Sequence, residues 1–271
     1  MQSESSSSES PATQVTLHVG DEMQLLERVR QCSQPTEIVI APVELHQRNI
    51  ERRLREANKP KGSFLFDDAV GVSRSILSAS GEPTVAIDRI DRLALVQGLL
   101  DDSISSSPTV SIPVGISSRD PQHIEQIRTE VETITNFHPD RISAWEKTAA
   151  GLYDPIDEDT EEVLDTALDV ERGLRTQTEK AISETELIRR ASREITTTDG
   201  ATWRSRFPHI ERLSLVGLSS VSAVHADFIH ALVTMTSLDV HVHFREATGD
   251  YLKGRFPSLL GISKPGVEVF Q

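Results

Sequence analysis

The hydrophobic pattern of the first 80 residues switches repeatedly between a period of two and a helical period. "QVTLHVG" alternates and is β-branched, which predicts a strand ending at Gly20. Asp21 can cap the helix that follows, and Leu25, Leu26 and Val29 supply its apolar stripe. "EIVIAP" is a continuous apolar run from Glu37 to Ala41, the signature of a strand buried on both faces, and Pro42 ends it. "VELHQRNIERRLREAN" returns to helical spacing, with Leu45, Ile50 and Leu54 on one side. "SFLF" at 63–66 reads as a short strand, and "DDAVGVSRSILSAS" as a helix stopped by Gly81. Strand and helix in strict alternation predict an α/β domain with a parallel sheet.

From Ile87 to about Ile195 the pattern is helical. "DRIDRLALVQGLLDD", "PQHIEQIRTEVETITNF" and "RISAWEKTAAGLY" predict three helices. A longer one follows in "DEDTEEVLDTALDVERGLRTQTEKAI", weakened at Gly173. "SETELIRRASREI" opens with a capping box, Ser183 with Glu186 three residues on. Residues 103–118 read as a serine-rich loop with a short strand candidate in "TVSIPV". The α/β signature then resumes. "RLSLVGL" is an apolar strand, "SVSAVHADFIHALVTMT" a helix, "SLDVHVHF" an alternating strand, and "GVEVF" one more strand candidate. The expected organisation is an acidic Ser-rich disordered tail at 1–13, one sheet domain from 14–88 and 205–271, and an all-helical insert at 89–204.

Composition narrows the function classes. Of 271 residues 37% are apolar, enough for a sizeable core. The formal net charge is -14, and only six of the 28 basic residues are lysine, the bias of a salt-adapted acidic surface. That balance argues against a simple nucleic-acid-coating protein but leaves room for a local basic patch. The single cysteine, Cys32, excludes an intrachain disulfide or a cysteine zinc site and suits a reducing, cytoplasmic setting. No secretory signal is visible, and no apolar run approaches the ~20 residues that span a bilayer, so no membrane role is expected.

The strand–helix junction at Gly20 is where a nucleotide-binding fold would carry its phosphate loop. Such a loop needs several backbone N–H groups aimed at one anion, a lysine and a hydroxyl. Here Asp21 and Glu22 follow Gly20 directly, and two carboxylates repel a triphosphate. The end of "RLSLVGL" offers Val216 and Gly217 where a magnesium-binding acid would stand. No catalytic residue, metal or cofactor is therefore expected, and Gly20 marks a degenerate phosphate-loop position.

Other features admit two readings. His241 and His243, two apart on a strand, share a face. They line a sheet face, or bind a metal with a third ligand from His225, Asp227 or His230. Arg48, Arg52 and Arg55 lie along one helical face, where they contact phosphates or pair with Glu51 and Glu56. Arg74, Arg89 and Arg92 form a looser group of the same kind. Neither a Gly-x-Ser-x-Gly elbow nor an HExxH motif is present. The acidic run "IDEDTEE" reads as a solvated helix start.

The order of "VTLHVG", "EIVIAPVELHQRNIERRL", "FLFDDAVGVSRSILSASGEPTVAIDRIDRLALVQGLL", a helical middle and "RLSLVGLSSVSAVHADFIHALVTMTSLDVHVHF" resembles the N-terminal helicase-like half of AddB-type helicase–nuclease subunits, relatives of UvrD and RecB. The resemblance implies a RecA-like parallel sheet domain with a degenerate phosphate loop and an inserted helical domain. It implies a non-catalytic protein of DNA repair or recombination that binds single-stranded DNA or a helicase or nuclease subunit. Arg48, Arg52, Arg53, Phe66 and Arg74 would face the DNA, with "FLFDD" similar to a Thr-Phe motif in which Leu65 stands in the threonine place. No second RecA-like domain, nuclease motif or iron–sulfur cysteine set is read, so cutting or unwinding would come from another chain. The alternatives are a protein-interaction scaffold using the helices of 159–195, or a small-molecule enzyme at strand ends around Gly20, Gly217, His241 and His243.

Overall fold

The computed structural model describes residues 15–20, 23–102, 120–149 and 160–270. Five strands form one parallel sheet: β1 (Val15–Val19), β2 (Glu37–Ile40), β3 (Phe64–Asp67), β4 (Arg212–Leu218) and β5 (Asp239–Phe244), in the order β1-β5-β4-β2-β3. This is an α/β architecture with many helices, consistent with a RecA-like fold. The tail at 1–13, the Asp21 cap, the "TVSIPV" strand candidate and most of the "IDEDTEE" run lie outside the described residues.

The chain divides into two compact units. The first takes described residues within 1–72, 195–221 and 225–261. Its sheet has β1 and β3 at the edges. On one face α1 (Met23–Glu27) and α2 (Glu44–Glu56) supply Leu25, Leu26, Ile50 and Leu54 to a core with Val39, Ala41, Phe64 and Val216. α9 (Ala201–Arg206), most of α10 (Ala223–Met235) and α11 (Glu246–Leu259) also belong to this unit, and α11 packs on β1 and β5. The approach is so close that a Cβ on Gly249 would stand 2.4 Å from a Val19 methyl, so only glycine fits. The sequence pattern does not announce α11, because Gly249, Gly254 and Pro257 interrupt its helical period.

The second unit takes described residues within 73–194, 222–224 and 262–270. It holds most of α3 (Ala69–Ser80), α4 (Arg89–Asp102), α5 (Pro121–Thr135), α6 (Pro139–Ala149), α7 (Thr160–Gln177) and most of α8 (Glu184–Thr197). Val96, Leu99, Val131, Phe137, Leu164 and Leu174 are among its core residues. Gly173 lets α7 approach Leu99, whose methyls would be 2.8 Å from an added Cβ. Residues 85–87 pair with Ala181 through a parallel bridge, and Val269 donates its N–H to the Phe137 carbonyl, so both segments join the helices.

Three sequence readings are corrected. "GVEVF" is not a strand: it is an irregular segment between turns that inserts Glu268 among Arg175, Arg189 and Arg193. The long helix stops at Gln177 instead of running to Ile182, because Ala181 is drawn into the bridge with Ala86. The capping box is shifted by one residue. Ser183 accepts from the Glu186 N–H as expected, but the Glu186 carboxylate accepts from the Ile182 N–H.

Candidate functional site

Three places carry chemistry: the carboxyl rim of the sheet, the outer face of α2, and a polar patch on the sheet face. At the rim, Gly20 follows β1 with φ +82°, and its N–H donates to the Phe244 carbonyl at 3.0 Å. That amide is used within the sheet. At the end of β4, Gly217 has φ +69°, and an added Cβ would meet the His46 ring at 2.7 Å. Its carbonyl accepts from Arg245 Nε at 3.0 Å. Between β4 and β2, whose onward connections run in opposite directions, open α/β sheets hold ligands at the carboxyl ends. Here the His46 side chain lies against Gly217 at that place.

On α2, Arg48 and Glu44 are solvent-exposed and pair one turn apart, Arg48 Nε donating to the Glu44 carboxylate at 3.1 Å. Arg52 sits 3.9 Å from Glu56, both exposed. Glu51 faces Lys61 at 3.8 Å rather than the arginines. Val43 and Leu45 beside them are exposed apolar residues, so Leu45 is not part of the buried stripe; Ile50 and Leu54 are. Phe66 is half-buried, edge-on to Phe64 with ring centroids 5.9 Å apart, and packs against the α1–α2 core. Arg74 lies in the second unit and donates to Glu184 at 3.0 Å. The structure thus groups Arg48, Arg52 and Arg53 on one helix; Phe66 is on a strand of the same unit, packed inward.

The polar patch follows from register. Paired residues of parallel strands share a face, and the pairs His18↔His243, Thr16↔His241, Ser214↔His241 and Glu37↔Arg212 put these side chains on one side of the sheet. His18 is the residue that sequence reasoning missed. Its parity within β1 was legible, but the strand beside it was not. The His18 and His243 rings stack with centroids 4.2 Å apart, and His18 Nε2 lies 2.8 Å from His241 Nδ1. His241 Nε2 reaches Asp239 at 3.0 Å. Asp239 also accepts from Arg212 Nε at 3.0 Å. Arg28 donates to Ser214 Oγ at 3.0 Å and lies 3.3 Å from the buried Glu37 carboxylate. Burial pushes the His18 imidazole below its ordinary range, and nearby His241 and Arg28 push the same way. Burial also lowers His241, with Arg28 adding to it, against the opposing hydrogen bond of Asp239. Burial works against ionised Asp239, but the hydrogen bonds from His241 and Arg212 outweigh it and hold its carboxyl below the usual range. Among the described residues no group of three or more His, Cys, Asp or Glu is placed to hold a metal ion. His241 lies in the middle of β5 and His243 one residue before its end, both on the sheet face.

The parallel sheet and its helices describe an α/β protein consistent with a RecA-like fold. The chain matches the Halobacterial UvrD-like protein family over residues 1–271. It belongs to that family. No curated protein matches it at a significant level. Among the described residues, no helix is long and apolar enough to cross a membrane.

Proposed function

We propose that this chain is a non-catalytic, helicase-like protein of DNA repair or recombination, of the AddB type within the UvrD-like proteins, that binds single-stranded DNA or a helicase–nuclease partner. The observation that carries the reading is the nucleotide rim. Gly20 gives its N–H to the neighbouring strand, Asp21 and Glu22 replace the phosphate-loop residues, and β4 ends in Val216, Gly217 and Leu218 with no carboxylate. A sheet of this kind would act as a scaffold, with the helical unit as its insert. Arg48, Arg52 and Arg53 on the sheet unit are DNA-facing residues in this reading, and so is Arg74 on the helical unit. Phe66, packed inward, contributes less stacking than an exposed ring would.

A protein-interaction role is the second reading. It is favoured by the ion pairs of Arg48 with Glu44 and Arg52 with Glu56, which leave the α2 face nearly neutral. Fluorescence anisotropy of a labelled single-stranded oligonucleotide, at several salt concentrations, separates the two. DNA binding that weakens with salt and is lost in Arg48→Ala/Arg52→Ala supports the first. No binding at low salt removes DNA as a direct ligand. ATP hydrolysis above a buffer blank, with or without DNA, would overturn the non-catalytic assignment.

A further inference from the structure

The polar sheet face contains a directed chain of hydrogen bonds. The Asp239 carboxylate only accepts, so the Nε2 of His241 facing it at 3.0 Å carries a proton. A neutral His241 then presents a bare Nδ1, which accepts from His18 Nε2 at 2.8 Å. His18 belongs to β1, a five-residue edge strand that pairs only with β5 among the described residues. The His18 ring therefore fastens an edge strand across to its neighbour, beneath stacked His243.

We propose that the Asp239–His241–His18 chain is a proton-operated latch that holds edge strand β1 on the sheet while the imidazoles are neutral and loosens it when they take up protons. A first proton can be shared between the two facing nitrogens. A second leaves two N–H groups pointing at each other across 2.8 Å. The surroundings oppose both. Arg28 from the segment after α1, Arg212 from β4 and Lys253 from α11 add positive charge, while Glu37 from β2 and Asp239 from β5 are already engaged by Arg28 and Arg212. Glu246 of α11 lies against Gly20, beyond the end of the strand.

The folded imidazoles titrate below the ordinary 6.5, for the reason of burial and neighbouring cations. The latch contributes fully above that value and is lost as pH falls through the lowered folded values, because the loosened strand takes up protons that the docked one refuses.

Amide hydrogen exchange of the full chain, read by mass spectrometry and corrected for the chemical exchange rate, tests this between about pH 8 and about pH 5.5. Peptides covering β2 and β4 are the internal reference. Release coupled to two protons raises the opening constant of β1 by up to about 100-fold per pH unit below the ordinary histidine value; His18→Gln reduces that to about tenfold at most, and His18→Gln/His241→Gln removes it. β1 protection that does not change with pH overturns the proposal, as does an equal loss in the double variant. Should the double variant fail to fold by circular dichroism, His18→Gln decides, since an unchanged slope overturns the latch equally.

Discussion

The two units use arginine in opposite ways. In the sheet unit, Arg48 stands on α2 with a 69% exposed side chain beside a 72% exposed Glu44. In the helical unit, Arg128 is fully buried and reaches Glu125, Glu132 and Glu171 at once. The network continues. Arg92 pairs with Glu125, Arg189 with Glu132, and Arg175 with Glu171, Glu186 and Glu268. Ser183 donates to Glu132 at 2.8 Å, and Arg172 and Arg175 lie over the Phe270 ring. Water screens the first kind of pair, so it contributes little and its partner can be exchanged for another anion. The second kind is shielded from salt, and each partner is indispensable to the others because none can be rehydrated. The same guanidinium is a structural pin in one unit and an available contact in the other, and burial alone decides which.

Cutting the network at its centre gives the largest expected effect. Arg128→Ala leaves three glutamates facing a dry core and costs the helical unit about 3–5 kcal/mol. The chain's two tryptophans separate the units, since Trp145 lies in the helical unit and Trp203 in the sheet unit. Denaturant unfolding of the Trp203→Phe form reports the first, and of Trp145→Phe the second. A loss confined to the Trp145 signal is expected; an unchanged midpoint would show that the buried ions carry no stability.

Glu268→Gln comes next. It removes the charge that Arg175, Arg189 and Arg193 surround, and costs about 2 kcal/mol by the same readout. Acid makes a similar change without mutation. Burial opposes ionised Glu268, but Arg189, Arg175 and Arg193 outweigh it and hold the carboxyl below the ordinary 4.5. Glu125 is lowered likewise: Arg128 and Arg92 overcome the cost of its burial. Both contribute stability above that ordinary value, and lose it as pH falls through their lowered folded values. Glu268→Gln should therefore flatten the acid limb of the Trp145 signal. In the sheet unit Gly249→Ala tests close packing instead. Its new methyl meets Val19 and costs about 1–3 kcal/mol, seen through Trp203.

The comparison also explains what the sequence disclosed. The alternation of "VTLHVG", the apolar run of "EIVIAP" and the glycine stop at Gly81, which has φ +79°, are local signals, and each found its element. The Ser183 cap was local too. What escaped depends on partners far along the chain. Glu268 and Arg175 are 93 positions apart, and nothing near "GVEVF" tells a strand from a segment inserted among arginines. His18 and His241 are 223 apart, joined by register alone. Arg128 and Arg189 look like ordinary polar positions of amphipathic helices, yet both are buried, because the core they enter already holds glutamates. The α2 arginines were legible as a face, but whether they met phosphate or glutamate was not.

The smallest expected change in stability is the one that sharpens the contrast most. Arg48→Ala/Arg52→Ala removes two exposed ion pairs and should move the Trp203 unfolding midpoint by no more than about 0.5 kcal/mol. If α2 is a DNA-facing surface, the same variant loses oligonucleotide binding and lowers its salt slope, because each phosphate contact releases counterions. Glu44→Gln, which frees Arg48 from its neighbour, should then strengthen binding at low salt. A variant whose stability and binding both stay at the wild-type value would leave these arginines as solvated ornament of an acidic surface. A large drop in stability would mean that they, like Arg128, are pins after all. Stability held with binding lost is the outcome that exposed, exchangeable pairs predict, and only that combination separates an interface from a fold.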